Sequence, residues 1–234
     1  MWQGRRVPAN TAELLALLDL TRFGEMSFVA PHPRTRMQRT YGGQVLAQAL
    51  TAAYQTVPHD RVAHSLHAYF LRPGAADDDM RFNVQAMRDG NTFTTRRVEA
   101  FQEEREIFIG SASFHGLEPG LNHADPMPAD VPGPEGLTSA KQLMEPYAEK
   151  SPFADFYASK SPFDIRHVTP TIMLGADHKS ADRDSGRQMV WMKADGTADV
   201  PQVMHRAMLA LGCDQIMMEP VLRRAGLSIS TPGI

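Results

Sequence analysis

YGGQVLAQALTAAYQTV, Tyr41 to Val57, reads as a helix that is apolar on nearly every side. Val45, Leu46, Ala47, Ala49, Leu50, Ala52, Ala53 and Val57 do not fit one stripe at 3.6 residues per turn, and a helix apolar all round is buried all round. Gly42 and Gly43 open it and Pro58 closes it. Most of its side chains are small, so another segment can approach its backbone closely. It is too short, and too polar at Gln44, Gln48 and Gln55, to span a bilayer. Strands follow it, so the expectation is a curved sheet wrapped around the helix. The plainer alternative is an ordinary core helix in some other mixed fold.

Upstream, Thr11 (as N-cap) to Leu18 is expected to form an amphipathic helix and not a signal peptide, since the apolar run is interrupted by Glu13 and Asp19 and no small-residue cleavage site follows. Leu20 to Val29 reads as one strand anchored by Phe23 and Phe28, and Pro31 to Thr40 as a basic loop carrying Arg34, Arg36 and Arg39. Downstream come four strand signals. Arg61 to Arg72 is apolar on both faces in its second half, which predicts a central strand. Met80 to Met87 alternates cleanly, Asp89-Gly90-Asn91 is a hairpin signal, and Thr92 to Gln102 and Glu106 to His115 flank the charged turn Glu103-Glu104-Arg105. The short connections predict an antiparallel meander of four strands.

From Leu117 to Gly136 prolines crowd the sequence, which marks an extended linker, and Leu137 to Lys160 holds short helices broken by Pro146 and Pro152. Strand signals return at Asp164 to Thr171 and Gln188 to Lys193, separated by a polar loop from His178 to Gly186. A second mostly apolar helix, capped by Asp199 or Thr197, runs from Pro201 to Met218. Strand followed by buried helix therefore occurs twice, a duplication of pattern rather than of letters. The second copy is unfinished, with only Glu219 to Ile234 left and Leu227 to Ser230 as a strand start. A matching meander needs roughly 40–50 further residues at ordinary strand lengths.

The 234 residues carry 42% hydrophobic side chains and a net charge of −3, which supports a real core and provides no broad basic field for nucleic acid. One cysteine, Cys213, excludes a disulfide framework within the chain and fits a reducing compartment. There is no GxSxG elbow, P-loop, GxGxxG after a strand, or histidine pair at metal spacing.

Asp214 is the one carboxylate between Pro201 and Met218, among apolar neighbours. It is either a satisfied edge residue or a group that holds a water molecule in an apolar pocket. Cys213 beside it is a poor nucleophile, because an adjacent carboxylate raises a thiol pKa. His64 and His67 lie on opposite strand faces, so at most one can face a given pocket, and a structural role suits both better. Gly42-Gly43-Gln44 could present free N–H groups to an oxyanion, or could simply permit close packing. Arg72, Arg88, Arg96 and Arg97 are all candidates for the phosphates of an anionic ligand, with nothing in the letters to choose among them.

Three strings taken together, YGGQV (Tyr41 to Val45) with Gln48-Ala49, HSLHAYFLRPG (His64 to Gly74) and RDGNTFTTRRV (Arg88 to Val98), resemble the type II acyl-CoA thioesterases, the TesB-like family, in order and spacing. The resemblance runs from about Leu14 to Ile234. It implies an α+β double hotdog, two antiparallel sheets each wrapped around a long helix: residues 1–116 as the N-terminal hotdog, 117–161 as a proline-rich linker, and 162–234 as a partial C-terminal hotdog. It implies hydrolysis of acyl-CoA to fatty acid and CoA with no metal, cofactor or covalent intermediate. In that family an Asp, a Ser or Thr, and a Gln orient the attacking water. LGCDQIM puts Asp214 at the Asp position as the catalytic residue. The Ser or Thr and the Gln would follow Pro232-Gly233-Ile234, so the chain as given is expected to be a truncated and, if so, inactive form. Gly43, Gln44 and His64 are the expected oxyanion and substrate-binding residues. The remaining expectations are a cytoplasmic homo-oligomer, dimer or tetramer, with no nucleic-acid or membrane partner. The rivals are a hotdog hydratase or dehydratase, needing a histidine opposite Asp214, and a non-catalytic acyl-CoA binding module.

Overall fold

In the computed structural model the described residues are 9–30, 39–76, 78–172 and 186–227. The chain enters through α1 (Thr11–Leu17), capped not by Thr11 but by Asn10, whose Oδ1 accepts from the Glu13 N–H at 3.0 Å. Thr11 is already helical, and its hydroxyl donates to Asp195 O at 2.9 Å. The single strand expected over residues 20–29 is a hairpin, β1 (Thr21–Gly24) and β2 (Ser27–Ala30), because the chain reverses at Glu25-Met26. Only one of its two phenylalanines is an anchor: Phe28 is buried and Phe23 exposed.

α2 (Gly42–Tyr54) is the helix read from residues 41–57, and it is buried nearly all round as its composition requires. Four long strands follow: β3 (Arg61–Phe70), β4 (Met80–Asp89), β5 (Phe93–Gln102) and β6 (Arg105–Gly116). With the hairpin they make a six-stranded antiparallel sheet in the order β1-β2-β4-β5-β6-β3. β4, β5 and β6 are the meander. The Gly90 N–H bonds Phe93 O at 3.0 Å in the first turn, and Glu103 takes a left-handed φ of 52° in the second. β3 is neither in the meander nor central. It pairs with β6 alone and forms the sheet edge, so Tyr69 and Phe70 are exposed. Apolar residues on both faces of a strand do not distinguish a covered centre from an exposed edge.

The sheet closes over α2. Val45, Ala49, Ala52 and Ala53 meet Phe28, Met80, Phe82, Val98, Phe108 and Phe114 in one continuous core. This is the expected hotdog arrangement. After an extended, largely exposed stretch come α3 (Ala140–Met144), entered through a Ser139–Gln142 capping box, and α4 (Pro152–Asp155). β7 (Phe163–His167) pairs antiparallel with β8 (Val190–Ala194), and α5 (Gln202–Gly212) follows. Among the described residues the second hotdog thus contributes two strands and its helix. α5 begins after Pro201 with no side-chain cap, so neither Asp199 nor Thr197 caps it. It ends at Gly212 rather than Met218. The sequence reading missed α6 (Glu219–Ala225), whose signals were Pro220 in the first turn and Gly226 at φ 68° after the last. The polar loop expected at 178–186 and the strand start at 227–230 lie almost wholly outside the described residues. α1, though first in the chain, packs in the second core, where Leu14, Leu17 and Leu18 join Met144, Ile165, Ala207 and Leu211.

The two units meet where α2 lies against α5. Ala47 of α2 belongs to the second core and Ala210 of α5 packs on the first. The approach is tightest at Gly43. A Cβ there would fall inside contact distance of the Leu211 carbonyl oxygen and 2.6 Å from the Tyr41 ring, so backbone would have to move. Gly43→Ala is therefore expected to destabilise by about 1–3 kcal/mol or more, read from urea unfolding. Gly116→Ala, where an added Cβ meets nothing within 4 Å, is the control and should change little.

Candidate active site

Asp214 lies in the turn that follows α5, not on the helix. α5 closes with the Cys213 N–H on Leu209 O at 2.9 Å, and the Gln215 N–H then bonds Gly212 O at 3.1 Å. That turn delivers the Asp214 side chain to the start of α2, where Oδ2 accepts from the Gly43 N–H at 2.8 Å. α2 has no side-chain cap of its own, since Tyr41 occupies the N-cap position. The first turn of a helix has N–H groups without intrahelical acceptors. Asp214, 171 residues away in sequence, supplies one acceptor and also places its charge at the positive end of the α2 dipole.

Burial pushes the Asp214 carboxyl above the usual carboxylate range, and the Gly43 N–H pulls the other way. Three further groups surround it. The Tyr41 hydroxyl donates to Leu211 O at 2.7 Å, and burial, then Asp214, raise its pKa. Burial, then Glu219 and Asp214, raise that of Tyr157. Both phenols are therefore neutral. The Cys213 thiol is likewise pushed up, by burial first and Asp214 second, so a thiolate nucleophile is disfavoured. With the phenols and the thiol held protonated, Asp214 is the group of the cluster that ionises most readily, and its other oxygen, Oδ1, has no protein partner among the described residues.

A cleft of about 350 Å³ opens beside this cluster. Val45, Phe70, Leu71 and Ile107 give it apolar walls, and Arg39 and Arg72 also line it. Gly42 is common to cleft and carboxylate: a Cβ on it would lie 2.8 Å from Asp214 Oδ2 and 3.1 Å from Phe70 Cζ. A side chain at this position would collide with both.

The residues expected around Asp214 are only partly brought together. Gly43 is in contact, but its N–H is taken by the carboxylate rather than left for an oxyanion. Gln44 is buried, with its N–H on Tyr41 O at 3.1 Å and its side-chain amide 3.5 Å from Gln48 Oε1, so it does not present a donor to the cleft. His64 is exposed on the sheet face away from α2, where it bonds Ser113 Oγ at 2.8 Å and stacks edge-on with Phe93 and His115. A bulge between Ala63 and Ser65 turns it outward. Of the four arginines, Arg96 is buried and spent on Asp89 and Thr56, Arg97 pairs with Glu99 at 3.0 Å, and Arg88 is exposed on β4. Arg72 alone of them lines the cleft. The sequence reading gave Tyr41 no role at the site. Its one signal was a bulky phenol directly before two glycines.

Residues 30–115 match the family model for the acyl-CoA thioesterase N-terminal domain. The chain is 30% identical to acyl-CoA thioesterase 2 of Haemophilus influenzae over 203 residues, 86% of this chain and 69% of that one. The chain belongs to the acyl-CoA thioesterases. Within that family it is TesB-like: the tesB protein of Mycobacterium avium subs paratuberculosis superposes with a TM-score of 0.72 at 27% identity, over 92% of this chain and 74% of that one. The acyl-CoA thioesterase II TesB2 of Mycobacterium marinum superposes with a TM-score of 0.64 at 34% identity, over 85% of this chain and 67% of that one. Human acyl-coenzyme A thioesterase 8 is 32% identical, but the chain spans only 57% of its length. The mouse protein of that name is 34% identical and is spanned over 51%.

A thioesterase chain with such a carboxyl has a measurable pH signature. A carboxyl whose pKa is raised on folding contributes stability when protonated, and that contribution is lost as pH rises from the ordinary value of about 3.9 through the raised one. Asp214→Asn keeps an oxygen acceptor for Gly43 and removes the charge. Urea unfolding at pH 4 and pH 7 should show the variant gaining on wild type as pH rises. A variant that loses ground over this interval would mean the carboxylate is favoured on folding.

Proposed function

We propose that the chain hydrolyses acyl-CoA thioesters, with Asp214 as the catalytic residue and its thioester substrate seated at Gly42. The observation that carries this is the position of the carboxylate: half-buried, held by one oxygen on the Gly43 N–H, and next to Gly42, which lines a cleft. The free oxygen, Oδ1, accepts a hydrogen bond from a water molecule and aims it at the thioester carbon. The water oxygen bonds to that carbon, its proton passes to Asp214, and the tetrahedral intermediate collapses with loss of the CoA thiolate. Asp214 returns the proton to sulfur, so acyl-CoA and water become fatty acid and CoA thiol without a covalent enzyme intermediate. The buried surroundings strengthen each of these electrostatic contacts relative to water.

The hydratase alternative needs a histidine against Asp214. Among the described residues the hydrogen-bond partner of Asp214 is the Gly43 N–H instead. A homo-oligomer, dimer or tetramer, is part of the proposal, supported by the exposed edge of β3 with Tyr69, Phe70 and Leu71 uncovered. So is a cytoplasmic setting, supported by a single free thiol at Cys213. Among the described residues no helix is long and apolar enough to cross a membrane.

The test is thiol release from palmitoyl-CoA by the full-length native protein. Wild type should release CoA, and Asp214→Asn should lose about 10²-fold or more of kcat. The acid limb of the wild-type pH profile should lie above the ordinary carboxyl value, since burial raises that of Asp214. Undiminished turnover by the variant would remove Asp214 from the mechanism.

A further inference from the structure

Hydrolysis at Asp214 leaves two residues of the cleft unused, Arg39 and Arg72. They come from separate segments that the fold ties together. Arg39 bridges Ala75, the Thr40 N–H bonds Gly74 O at 2.9 Å, and the Thr40 hydroxyl donates to Ala75 O at 2.9 Å. The Ala75 N–H in turn bonds Gln102 Oε1 at 2.7 Å, so the Pro73-Gly74-Ala75 corner is fixed to the sheet. Arg72 gives one donor to Glu106 O at 2.7 Å and keeps the others. Neither arginine is paired with a carboxylate among the described residues; Arg22, Arg88, Arg105, Arg206 and Arg224 share that property, but of these unpaired arginines Arg39 and Arg72 line the cleft.

Two unpaired guanidiniums on a braced corner match phosphate oxygens, which accept paired, charge-assisted hydrogen bonds. Charge also orients the ligand. Cations line the cleft while an anion, Asp214, stands behind Gly42, so an anionic group is drawn to the arginines and repelled from the carboxylate. Volume limits what enters. About 350 Å³ is near the lower bound of small-molecule pockets and holds one arm of a large substrate, not all of it.

We infer that Arg39 and Arg72 are the receptor for the diphosphate of the CoA moiety. The cleft holds the pantetheine arm, with the thioester inward at Gly42, and the acyl chain lies outside the cleft. This rests on the thioesterase reading and specifies which end of the substrate the cleft takes.

The experiment compares one acyl group on two carriers, CoA and N-acetylcysteamine, the second having no phosphate. In the native full-length protein, Arg39→Gln with Arg72→Gln should raise KM for acyl-CoA. The preference for acyl-CoA over the cysteamine thioester, as a ratio of kcat/KM, should fall roughly ten- to hundredfold. Calorimetry with ADP tests the receptor without turnover: wild type should bind and the double variant should not. An unchanged preference, or ADP binding that survives the double substitution, overturns the inference. Wild type that binds ADP through these arginines yet hydrolyses neither thioester would sink the thioesterase reading and leave the diphosphate receptor standing.

Discussion

One hydrogen bond joins the two halves of this protein at their most consequential point. The Gly43 N–H donates to Asp214 Oδ2 at 2.8 Å, across 171 residues of chain. It solves a local problem for α2, whose first turn has no side-chain cap, and it fixes a carboxylate that burial would otherwise disfavour. The end of α5 brings Asp214 there, and a carboxylate at that end opposes the α5 dipole. The start of α2 offsets this with dipole of the favourable sign and a direct donor. The same contact thus anchors the inter-unit packing and orients the group proposed to act on water.

The contact is available because α2 is built of small residues. At Gly43 the Leu211 carbonyl lies closer than any side chain permits, and at Gly42 a Cβ would meet Asp214 and Phe70. Tyr41 then closes the gap from the other side, placing its hydroxyl on Leu211 O at 2.7 Å. Burial, then Asp214 for Tyr41 and Glu219 with Asp214 for Tyr157, keep both phenols protonated, so Asp214 is the group of the cluster left to ionise. An exposed carboxylate would sit in bulk water with no selected orientation. A deeply buried one would be neutral. The half-buried position next to Gly42 lies between the two, with burial raising the carboxyl's pKa and the Gly43 N–H opposing it.

The cleft joins pieces that no local pattern links. Phe70, Leu71 and Arg72 come from the end of β3, Ile107 from β6, Arg39 from the approach to α2, and Gly42 and Val45 from α2 itself. β3 lies at the sheet edge, so its last residues are free to line a cleft instead of being covered on both sides. A buried strand in that position would have closed it.

Much of the first hotdog was legible in the letters, because its signals are periodic and local. The all-round apolar helix at residues 41–57, the alternation of Met80, Phe82 and Val84, and the Asp89-Gly90-Asn91 turn each depend on neighbours within a few residues. Asp214 stood out for a similar reason, as one acid among apolar residues. Tertiary structure decided the rest. It set β3 beside β6 rather than β4, turned His64 outward at a bulge, ended α5 at Gly212 and set Asp214 against Gly43. It also placed Arg72, of the four candidate arginines, in the cleft together with Arg39. Pairing order, helix ends under packing and convergence of side chains depend on contacts between distant segments. Composition and period report only what each segment prefers, so the residue types of the site could be read from the chain while their meeting could not.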